Sequence, residues 1–267
     1  MKEFKDKVVV ITGAGSGIGR ALAIEFHKKG AKLALNDVNE ANLLETVQLV
    51  GGNAFYQSFD VADKTAFYQF ADNVIQHYNR VDVVVNNAGV AISKLSAVET
   101  SIEDYEWILG INLWGMMYGS LAFLPYLRKQ KESSIVNLSS VFGLHGVANQ
   151  SAYCTTKFGI RGFTESLALE EKLLKTGVSV TSVHPGGIKT SIARNSRYAD
   201  QHEDLIKNFE KSFVTSPEKA AKIIIKGIER KRMRVLVGYD AKIFYLINKL
   251  SHKLMVWFLM RLGKKAM

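Results

Sequence analysis

A tyrosine, a lysine and a serine stand at a spacing that could support proton transfer. Tyr153 and Lys157 are four residues apart, so on a helix both side chains lie on one face and the ammonium can stand beside the phenol. Ser140 precedes Tyr153 by thirteen residues and directly follows the apolar run 135–138. A phenol titrates near pKa ~10, and the pKa must fall by about 3 for work near neutral pH, which a nearby cation favours. The three residues therefore predict acid-base chemistry at an oxygen atom.

The chain also contains a second Tyr-x-x-x-Lys pair that serves as an internal comparison. Tyr245 and Lys249 have the same spacing, but Arg232 stands thirteen residues upstream and no strand ending in serines precedes them. We interpret this second pair as an ordinary helix face. In the first pair Ser139 remains the neighbouring alternative to Ser140, and only the thirteen-residue spacing chooses between them.

A glycine-rich stretch after the first apolar run could bind phosphate. Residues 12–20 read Thr-Gly-Ala-Gly-Ser-Gly-Ile-Gly-Arg, between the apolar run 8–11 and a helical stretch at 21–29. Glycines let the backbone approach a pyrophosphate, whose charge the amino-terminal end of the next helix stabilises. A tight turn without a ligand is the alternative, and the position between strand and helix favours phosphate binding.

These motifs together resemble the short-chain dehydrogenase/reductase family. The matching segments are the Thr-Gly-x-x-x-Gly-x-Gly turn at 12–19, Asn-Asn-Ala-Gly at 86–89, Ser140 with Tyr153 and Lys157, and Pro-Gly-x-x-x-Thr at 185–190. The resemblance implies an NAD(P)-dependent oxidoreductase that interconverts an alcohol and a ketone or aldehyde. It also implies that such chains pair through the long helices near 105–127 and 153–174, so a homodimer or homotetramer is expected.

By this resemblance, Tyr153 exchanges the proton with the reacting oxygen. Lys157 lowers the pKa of Tyr153 and holds the nicotinamide ribose, and Ser140 donates a hydrogen bond to the reacting oxygen. Asn112 matches a fourth member of the set, which supports a water path to the lysine. The same resemblance gives the cofactor-binding residues, which are Gly13, Ser16, Gly17, Ile18, Gly19, Asp37, Asp60, Val61, Asn87, Ala88, Gly89, Tyr153, Lys157, Pro185, Gly186, Ile188 and Thr190.

The end of the second apolar run bears on the choice of cofactor. Asp37 follows the run 33–35, where a carboxylate can accept from both ribose hydroxyls and repel a 2′-phosphate, so NAD is favoured over NADP. A plain turn or N-cap role for Asp37 is the alternative. Arg20 could still serve a phosphate. Asp60 is expected to accept a hydrogen bond from the adenine amino group.

Seven apolar runs must position these residues. They cover 8–11, 33–35, 53–57, 81–85, 135–138, 178–183 and 234–237, and segments of helical periodicity separate them. Continuous apolarity predicts strands buried on both faces, and hence an α/β doubly wound (Rossmann) parallel sheet with helices on both faces. In such sheets ligands bind beyond the carboxyl ends of the strands. We expect one domain, with residues 1–240 as its catalytic body and 241–267 as an amphipathic helical extension.

The charge of the chain is concentrated near its carboxyl end. The net charge is +10, but residues 219–267 hold thirteen of the 35 Lys and Arg residues and two of the 25 Asp and Glu residues. No zinc-finger or RNP-like spacing appears, so we expect no nucleic-acid function and no metal. The single cysteine, Cys154, cannot form an intrachain disulfide, and no secretory signal is evident at the start. We therefore expect a cytoplasmic location.

The extension carries apolar residues at spacings of three and four, accompanied by basic residues and, after Asp240, no acidic ones. Its apolar run 254–260 is too short for the ~20 residues that span a bilayer. A helix docked on its own core or on a second subunit is favoured over the alternative, peripheral contact with a membrane.

The pocket is expected to accept a lipophilic small-molecule substrate of the steroid, retinoid or long-chain type. Its candidate walls are residues 90–95, Phe142, Leu144, His145 and a lid at 192–213, which are mostly apolar. A 3-oxoacyl-type reductase is an alternative, although the Val-Asp-Gly-Gly ending of those enzymes is missing after the run 234–237. A non-catalytic dinucleotide-binding regulator is a second alternative, and retention of Ser140, Tyr153, Lys157 and Asn112 argues against it.

Overall fold

A computed structural model shows one seven-stranded sheet in which every pairing is parallel. The structure describes residues 1, 3–93, 95–211 and 213–266; within these, the side chains of 205, 208, 209 and 262–266 are left aside. The strand order is β3-β2-β1-β4-β5-β6-β7, with the reversal between β1 and β4. The doubly wound Rossmann fold predicted from the apolar runs is confirmed.

The seven strands fall where the apolar runs predict them, with small differences at their ends. They are β1 (Val8–Thr12), β2 (Lys32–Asp37), β3 (Phe55–Ser58), β4 (Val83–Asn86), β5 (Ser133–Leu138), β6 (Val178–Pro185) and β7 (Arg234–Val237). β4 begins two residues later than predicted. Val81 is nevertheless fully buried, because continuous apolarity reports burial and not the ladder of hydrogen bonds that defines a strand.

Ten α-helices are described around this sheet. They are α1 (Gly17–Lys28), α2 (Glu40–Leu49), α3 (Lys64–Tyr78), α4 (Ile102–Leu109), α5 (Gly115–Leu127), α6 (Ser151–Leu173), α7 (Glu203–Glu210), α8 (Pro217–Glu229), α9 (Tyr239–Leu250) and α10 (His252–Ala266). Short 3-10 turns stand at Val141–Gly143 and Ala199–His202. Two apolar cores result, one on each face of the sheet, as the buried strands require.

A π-helical turn, Gly110–Trp114, joins α4 to α5 in one continuous helical run. By length and composition this run, Ile102–Leu127, could cross a membrane, since its mean hydropathy reaches 1.3. Half of that apolar stretch is buried inside the fold. Packing against the sheet accounts for this apolarity, as it does for the core helices of α/β proteins.

The carboxyl-terminal extension forms two helices where the spacing of apolar residues suggests one. Ser251 is extended, with φ −161° and ψ 120°, and separates α9 from α10. Few residues of the extension are buried, among them Ala241 and Met255. Phe244 and Phe258 contact each other edge to face, with ring centroids 5.9 Å apart. The two helices therefore pack on each other and leave a wide surface exposed.

Candidate active site

The glycine-rich turn between β1 and α1 is a cradle in which three positions favour glycine. Gly13 and Gly17 have φ of +64° and +50°, a region that favours glycine. A Cβ at Gly13 would lie 2.8 Å from the Cα of Ala88, and a Cβ at Gly19 would collide with the carbonyl oxygen of Gly13. Backbone amides at the start of α1 can therefore face a pyrophosphate at close range. The turn fits a dinucleotide.

The ends of β1 and β4 are tied together beside this turn. The Thr12 hydroxyl accepts hydrogen bonds from the backbone amides of Asn87 and Ala88, both at 3.1 Å. The Asn87 side chain donates to the carbonyl oxygens of Thr12 and Gly13, both at 3.0 Å. Asn87, Ala88 and Gly89 thus lie together at the point where the strand order reverses, which is where doubly wound folds bind their ligands.

Asp37 is fixed at the end of β2 and faces the glycine-rich turn. One oxygen of its carboxylate accepts from the Gly15 amide at 2.8 Å, and the other accepts from the Asn39 amide at 2.9 Å. The N-cap of α2 is Asn39, so Asp37 does not cap that helix. Its carboxylate is instead held beside the phosphate cradle.

Arg20 has a structural role that the sequence did not reveal. Its guanidinium donates to the Thr46 hydroxyl, to the carbonyl oxygens of Gly15 and Asn42, and to the Glu45 carboxylate. Through its Nε and Nη2 atoms, Arg20 joins α1 to α2. The hypothesis that it binds a cofactor phosphate gains no support from this geometry.

The remaining cofactor residues border the same edge of the sheet. Asp60 accepts from the Ala62 amide at 2.9 Å in an exposed turn, and Val61 is buried beside it. Beyond β6, the Thr190 side chain lies close to Gly17, so the loop after β6 meets the cradle. Ser16 and Ile18 flank Gly17 at the start of α1, where Ser16 occupies the N-cap position with extended backbone.

Asp240 anchors the loop after β6, and sequence reasoning missed it. Its carboxylate accepts from the Gly187 amide at 2.6 Å. A Cβ at Gly186 would collide with the same carboxylate. Because Asp240 lies in the first turn of α9, the extension is attached directly to the loop that carries Pro185, Gly186, Ile188 and Thr190. A contact across fifty-three residues leaves no signal in local spacing.

Ser140, and not Ser139, faces Tyr153. The Ser139 hydroxyl is used elsewhere, because it donates to the Lys157 carbonyl oxygen at 2.7 Å. The Ser140 hydroxyl accepts from the Phe142 amide at 3.1 Å and hydrogen-bonds the Tyr153 phenol. The geometry thus agrees with the choice that the thirteen-residue spacing made.

Lys157 stands over the ring of Tyr153, with its Nζ 5.3 Å from the ring centroid. This ammonium donates to the Leu138 carbonyl oxygen at 3.1 Å. Burial lowers the pKa of Lys157 to about 8. Burial also raises the pKa of Tyr153 to about 12, although the Ser140 hydrogen bond lowers it in part. The expected lowering of the phenol pKa by Lys157 is not among the causes of this shift; desolvation, which disfavours either charge, is the largest cause at both residues.

Asn112 lies in the π-helical turn and is fully buried. Its side chain accepts from the Val90 amide at 2.8 Å and donates to the Val90 carbonyl oxygen at 3.0 Å. A Cβ at Gly89 would contact both the Asn112 amide oxygen, at 3.2 Å, and the Lys157 Nζ, at 3.5 Å. Asn112 therefore holds the loop after β4 next to the lysine, and the π-helical turn brings its side chain there.

His184 contacts the backbone of Ser140. Its Nδ1 lies 2.9 Å from the Ser140 carbonyl oxygen, which can only accept, so Nδ1 carries the proton. Its Nε2 then accepts from the Ser182 hydroxyl at 3.0 Å. Burial lowers the pKa of His184 to about 4. The interpretation of His184 as a structural residue agrees with this geometry, and its particular partner is Ser140.

The second Tyr-x-x-x-Lys pair lies away from these residues. The Tyr245 hydroxyl accepts from Arg234 at 3.2 Å, and the guanidinium lies 5.4 Å from the ring centroid of Tyr245. Tyr245 is thus part of a contact between α9 and β7. Among the described residues no group of His, Cys, Asp and Glu side chains could hold a metal ion.

Two loops close over Tyr153. Ile92 and Arg197 form a parallel bridge, the Ser93 amide donates to the Arg197 carbonyl oxygen at 3.0 Å, and the Ser93 and Ser196 hydroxyls are 2.8 Å apart. Two positions of the expected pocket and lid, Lys94 and Ser212, lie outside the described residues. The phenol ring packs against an apolar cluster that includes Val90, Ile92, Leu95, Tyr105, Trp107, Ile108, Ala152 and Tyr198.

Comparisons with known proteins identify the family. The family model for short chain dehydrogenases matches residues 7–201. A Mycobacterium tuberculosis protein named "Putative oxidoreductase SadH" is 44% identical over 91% of this chain and 90% of its own length. A Bacillus subtilis protein named "Uncharacterized oxidoreductase YxnA" is 32% identical over 95% of this chain and 71% of its own length.

Solved structures share the same architecture. A short-chain dehydrogenase/reductase from Burkholderia phymatum, in complex with NAD, has a TM-score of 0.86 at 27% identity over 92% of this chain and 94% of that one. Levodione reductase has a TM-score of 0.80 at 27% identity over 88% and 96% of the two chains. With its cradle, its Ser140, Tyr153 and Lys157 and these relatives, the chain belongs to the short-chain dehydrogenase/reductase family of oxidoreductases, which act on CH–OH groups with NAD(P).

Proposed function

We propose that this enzyme interconverts a lipophilic alcohol and its ketone or aldehyde, with NAD preferred over NADP. The proposal for the substrate rests on the apolar cluster around the Tyr153 ring, because the apolar side chains of this cluster favour an apolar ligand. Asp37 carries the proposal for the cofactor, since its fixed carboxylate repels a 2′-phosphate. A 3-oxoacyl thioester is the alternative substrate.

Each residue of the candidate site has its own role in the proposed reaction. A bound nicotinamide supplies the acceptor or donor of hydride. In reduction Tyr153 gives its proton to the carbonyl oxygen, and in oxidation it removes the hydroxyl proton. Ser140 hydrogen-bonds the phenol and would donate to the same substrate oxygen as charge develops on it. Lys157, 5.3 Å from the Tyr153 ring centroid, stabilises the phenolate, and Asn112 holds the loop after β4 beside the lysine.

Charge balance explains why alcohol oxidation needs two positive charges, one on Lys157 and one on the oxidised nicotinamide. A Tyr153 pKa of about 12 leaves the phenol protonated at neutral pH, which suits carbonyl reduction directly. Alcohol oxidation requires the phenolate, so Lys157 and the positive oxidised nicotinamide must together offset the cost of burying that charge. At 1.36 kcal/mol for each pKa unit, lowering this pKa toward 7 needs roughly 7 kcal/mol.

The test compares the same substitution in the first and in the second Tyr-x-x-x-Lys pair. We expect Tyr153→Phe to lose nearly all turnover of a panel of lipophilic alcohols and ketones, followed through the absorbance of NADH, while NADH binding is retained. Tyr245→Phe, which alters the second pair, should keep the activity. Retained turnover in Tyr153→Phe would contradict the proposal, and so would equal turnover of small polar and lipophilic alcohols.

We further propose that the enzyme contacts anionic membrane surfaces through α9 and α10. Exposed apolar side chains cover the outer face of both helices, among them Tyr239, Ile243, Leu246, Leu250, Leu254, Val256, Trp257 and Met260. Exposed basic residues accompany them, namely Lys242, Lys249, Lys253 and Arg261. Apolar and basic residues on one exposed face fit a bilayer with anionic headgroups.

We propose that two copies of the chain pack through α5 and α6. Large apolar side chains are exposed on this part of the molecule, with Trp114, Leu121, Phe158 and Leu169 each more than two fifths exposed.

We also infer that the enzyme works in a reducing cytoplasm, since its one cysteine, Cys154, is a buried thiol.

A further inference from the structure

A buried histidine near the site has no hydrogen-bond partner. His145 is 3% exposed, and neither of its ring nitrogens is hydrogen-bonded within the described part of the chain. His184, which is fully buried, provides a contrast because both of its nitrogens are bonded. Buried polar groups in folded proteins are normally paired, so an unpaired imidazole one aromatic ring away from Tyr153 points to a ligand.

Aromatic rings enclose His145 and connect it to the site. Its ring centroid lies 5.2 Å from that of Phe244 on α9 and 6.3 Å from that of Phe142. Phe142 in turn meets Tyr153 edge to face, with centroids 6.1 Å apart. Phe142 therefore separates the imidazole from the catalytic phenol.

Helix α9 packs against His145. The Asn248 side chain donates to the Leu144 carbonyl oxygen at 2.9 Å, and Phe244 lies against the imidazole. The helix thus places an apolar ring beside the imidazole, and none of its described side chains hydrogen-bonds the ring nitrogens of His145.

The state of the ring limits the chemistry of that ligand. Burial lowers the pKa of His145 to about 4, so the ring is neutral near pH 7. A neutral imidazole offers one N–H donor and one acceptor. Hydroxyl and carbonyl groups match these, whereas burying a carboxylate beside a neutral ring would leave its charge uncompensated.

We propose that His145 determines specificity by binding a second hydroxyl or carbonyl group of the substrate, at the end away from the reacting carbon. The proposal rests on the proposed function, because it places the reacting carbon at Tyr153. It narrows the substrate to an otherwise apolar hydroxyketone, diketone or diol.

Matched substrate pairs test the proposal. The probes are 2-alkanones of about six to twelve carbons, each compared with its analogue bearing a terminal hydroxyl. At the chain length that reaches His145, we expect kcat/KM to favour the hydroxyl analogue by about 10-fold or more in the native enzyme. His145→Phe should bring that ratio close to one, and His145→Gln, which can still donate and accept, should restore part of it.

The control for these ratios is His252→Phe, which changes an exposed histidine at the start of α10. It should leave the preference for the hydroxyl analogues as it is in the native enzyme. Equal ratios in the native enzyme and in His145→Phe at every chain length would overturn the proposal.

A binding measurement separates this proposal from the proposed function. In protein labelled with ¹⁵N-histidine and saturated with NADH, the imidazole signals that disappear in His145→Phe belong to His145. We expect them to shift when the hydroxyketone is added and to stay in place with the plain ketone. The absence of any shift would overturn the inference even if turnover is normal, and a shift without turnover would support it while counting against the proposed function.

Thermal unfolding distinguishes a ligand-binding histidine from a structural one. Because His145 has no partner to lose, His145→Phe should keep or raise the Tm. His184→Phe should lower the Tm, since it removes the partner of the Ser140 carbonyl oxygen. If His145→Phe lowers the Tm as much as His184→Phe does, His145 has a structural role and the proposal is overturned.

Discussion

The contacts that a side chain makes decide its role in the candidate site. Ser139 and Ser140 are chemically identical, yet one donates to the Lys157 carbonyl oxygen and the other meets Tyr153. The spacing of Ser140, Tyr153 and Lys157 was enough to predict this set. The Arg20 contacts and the direction of the Tyr153 pKa were not predictable in this way, because both depend on burial and on partners distant in sequence.

The Asp37 carboxylate sets the cofactor preference in the proposed function. We expect Asp37→Ser to lower the ratio of kcat/KM for NAD to that for NADP by about 10-fold or more, because a repulsive charge near the 2′-phosphate is removed. Steady-state rates with both cofactors measure it. Glu40→Ser removes an exposed carboxylate nearby and should leave the ratio unchanged. An unchanged ratio in Asp37→Ser would show that the carboxylate does not select.

Two buried histidines make the free energy of unfolding depend on pH. Burial lowers the pKa of His145 and of His184 to about 4 from 6.5, so between these values the unfolded chain binds more protons than the folded chain. Stability is therefore full above pH 6.5 and falls as the pH drops toward 4, by up to about 3 kcal/mol for each histidine.

Replacing one of them should reduce this dependence. In urea unfolding at pH 7 and pH 4.5, we expect the loss of unfolding free energy between the two conditions to be smaller in His145→Phe by about 2 kcal/mol. His252→Phe provides the exposed control and should follow the native protein. Equal losses in the native protein and His145→Phe would contradict a depressed pKa at His145.

At the scale of elements, the loop after β4 and the lid are joined through α4. Arg197 pairs with the buried Asp104 at 2.7 Å and lies 3.8 Å from the Trp107 ring centroid. Tyr198 also hydrogen-bonds Asp104 at 3.1 Å. These contacts hold the lid segment over the apolar cluster against which Tyr153 packs.

We expect Arg197→Ala to loosen this lid. The KM for lipophilic ketones should rise several-fold, and cleavage of the 191–202 segment by protease should accelerate, since the buried Asp104 loses its cation. Arg194→Ala changes a neighbouring, mostly exposed ion pair with Glu210 and should have little effect on either measurement. A similar KM in both variants would argue against the proposed role of Arg197.

The pattern of apolar residues predicted the secondary-structure elements. It did not predict contacts between residues that are distant in sequence. The seven apolar runs predicted the seven strands, because a sheet covered on both faces requires continuous apolar stretches. The break at Ser251 was not foreseen, since the apolar spacing of the extension continues across it. The attachment of α9 by Asp240 was also missed, because the residue it holds belongs to a different part of the chain.

At the scale of the molecule, the basic extension and the apolar pocket meet at α9. The inner face of this helix carries Phe244 against His145, and its outer face exposes Leu246 and Leu250. In the proposed function this arrangement places the pocket near the source of a lipophilic substrate.

Vesicle binding tests the outer face. We expect the full chain to cosediment with vesicles of phosphatidylcholine and phosphatidylglycerol, less with pure phosphatidylcholine, and less at high salt. The double variant Leu246→Glu/Leu250→Glu should bind about 10-fold more weakly, because it removes apolar area and adds negative charge. Leu44→Glu/Leu49→Glu, which alters exposed leucines on α2, should bind like the native chain. Equal binding by both double variants would rule out this face.

The close approach of Gly186 to Asp240 means that the two positions cannot vary independently. Any side chain at 186 would meet the carboxylate that accepts from Gly187, so in relatives with this extension we expect glycine and aspartate to be inherited together. A relative with a different residue at 240 is free to enlarge position 186. The pair therefore indicates, in a sequence alone, which relatives attach their carboxyl-terminal helix to the loop after β6.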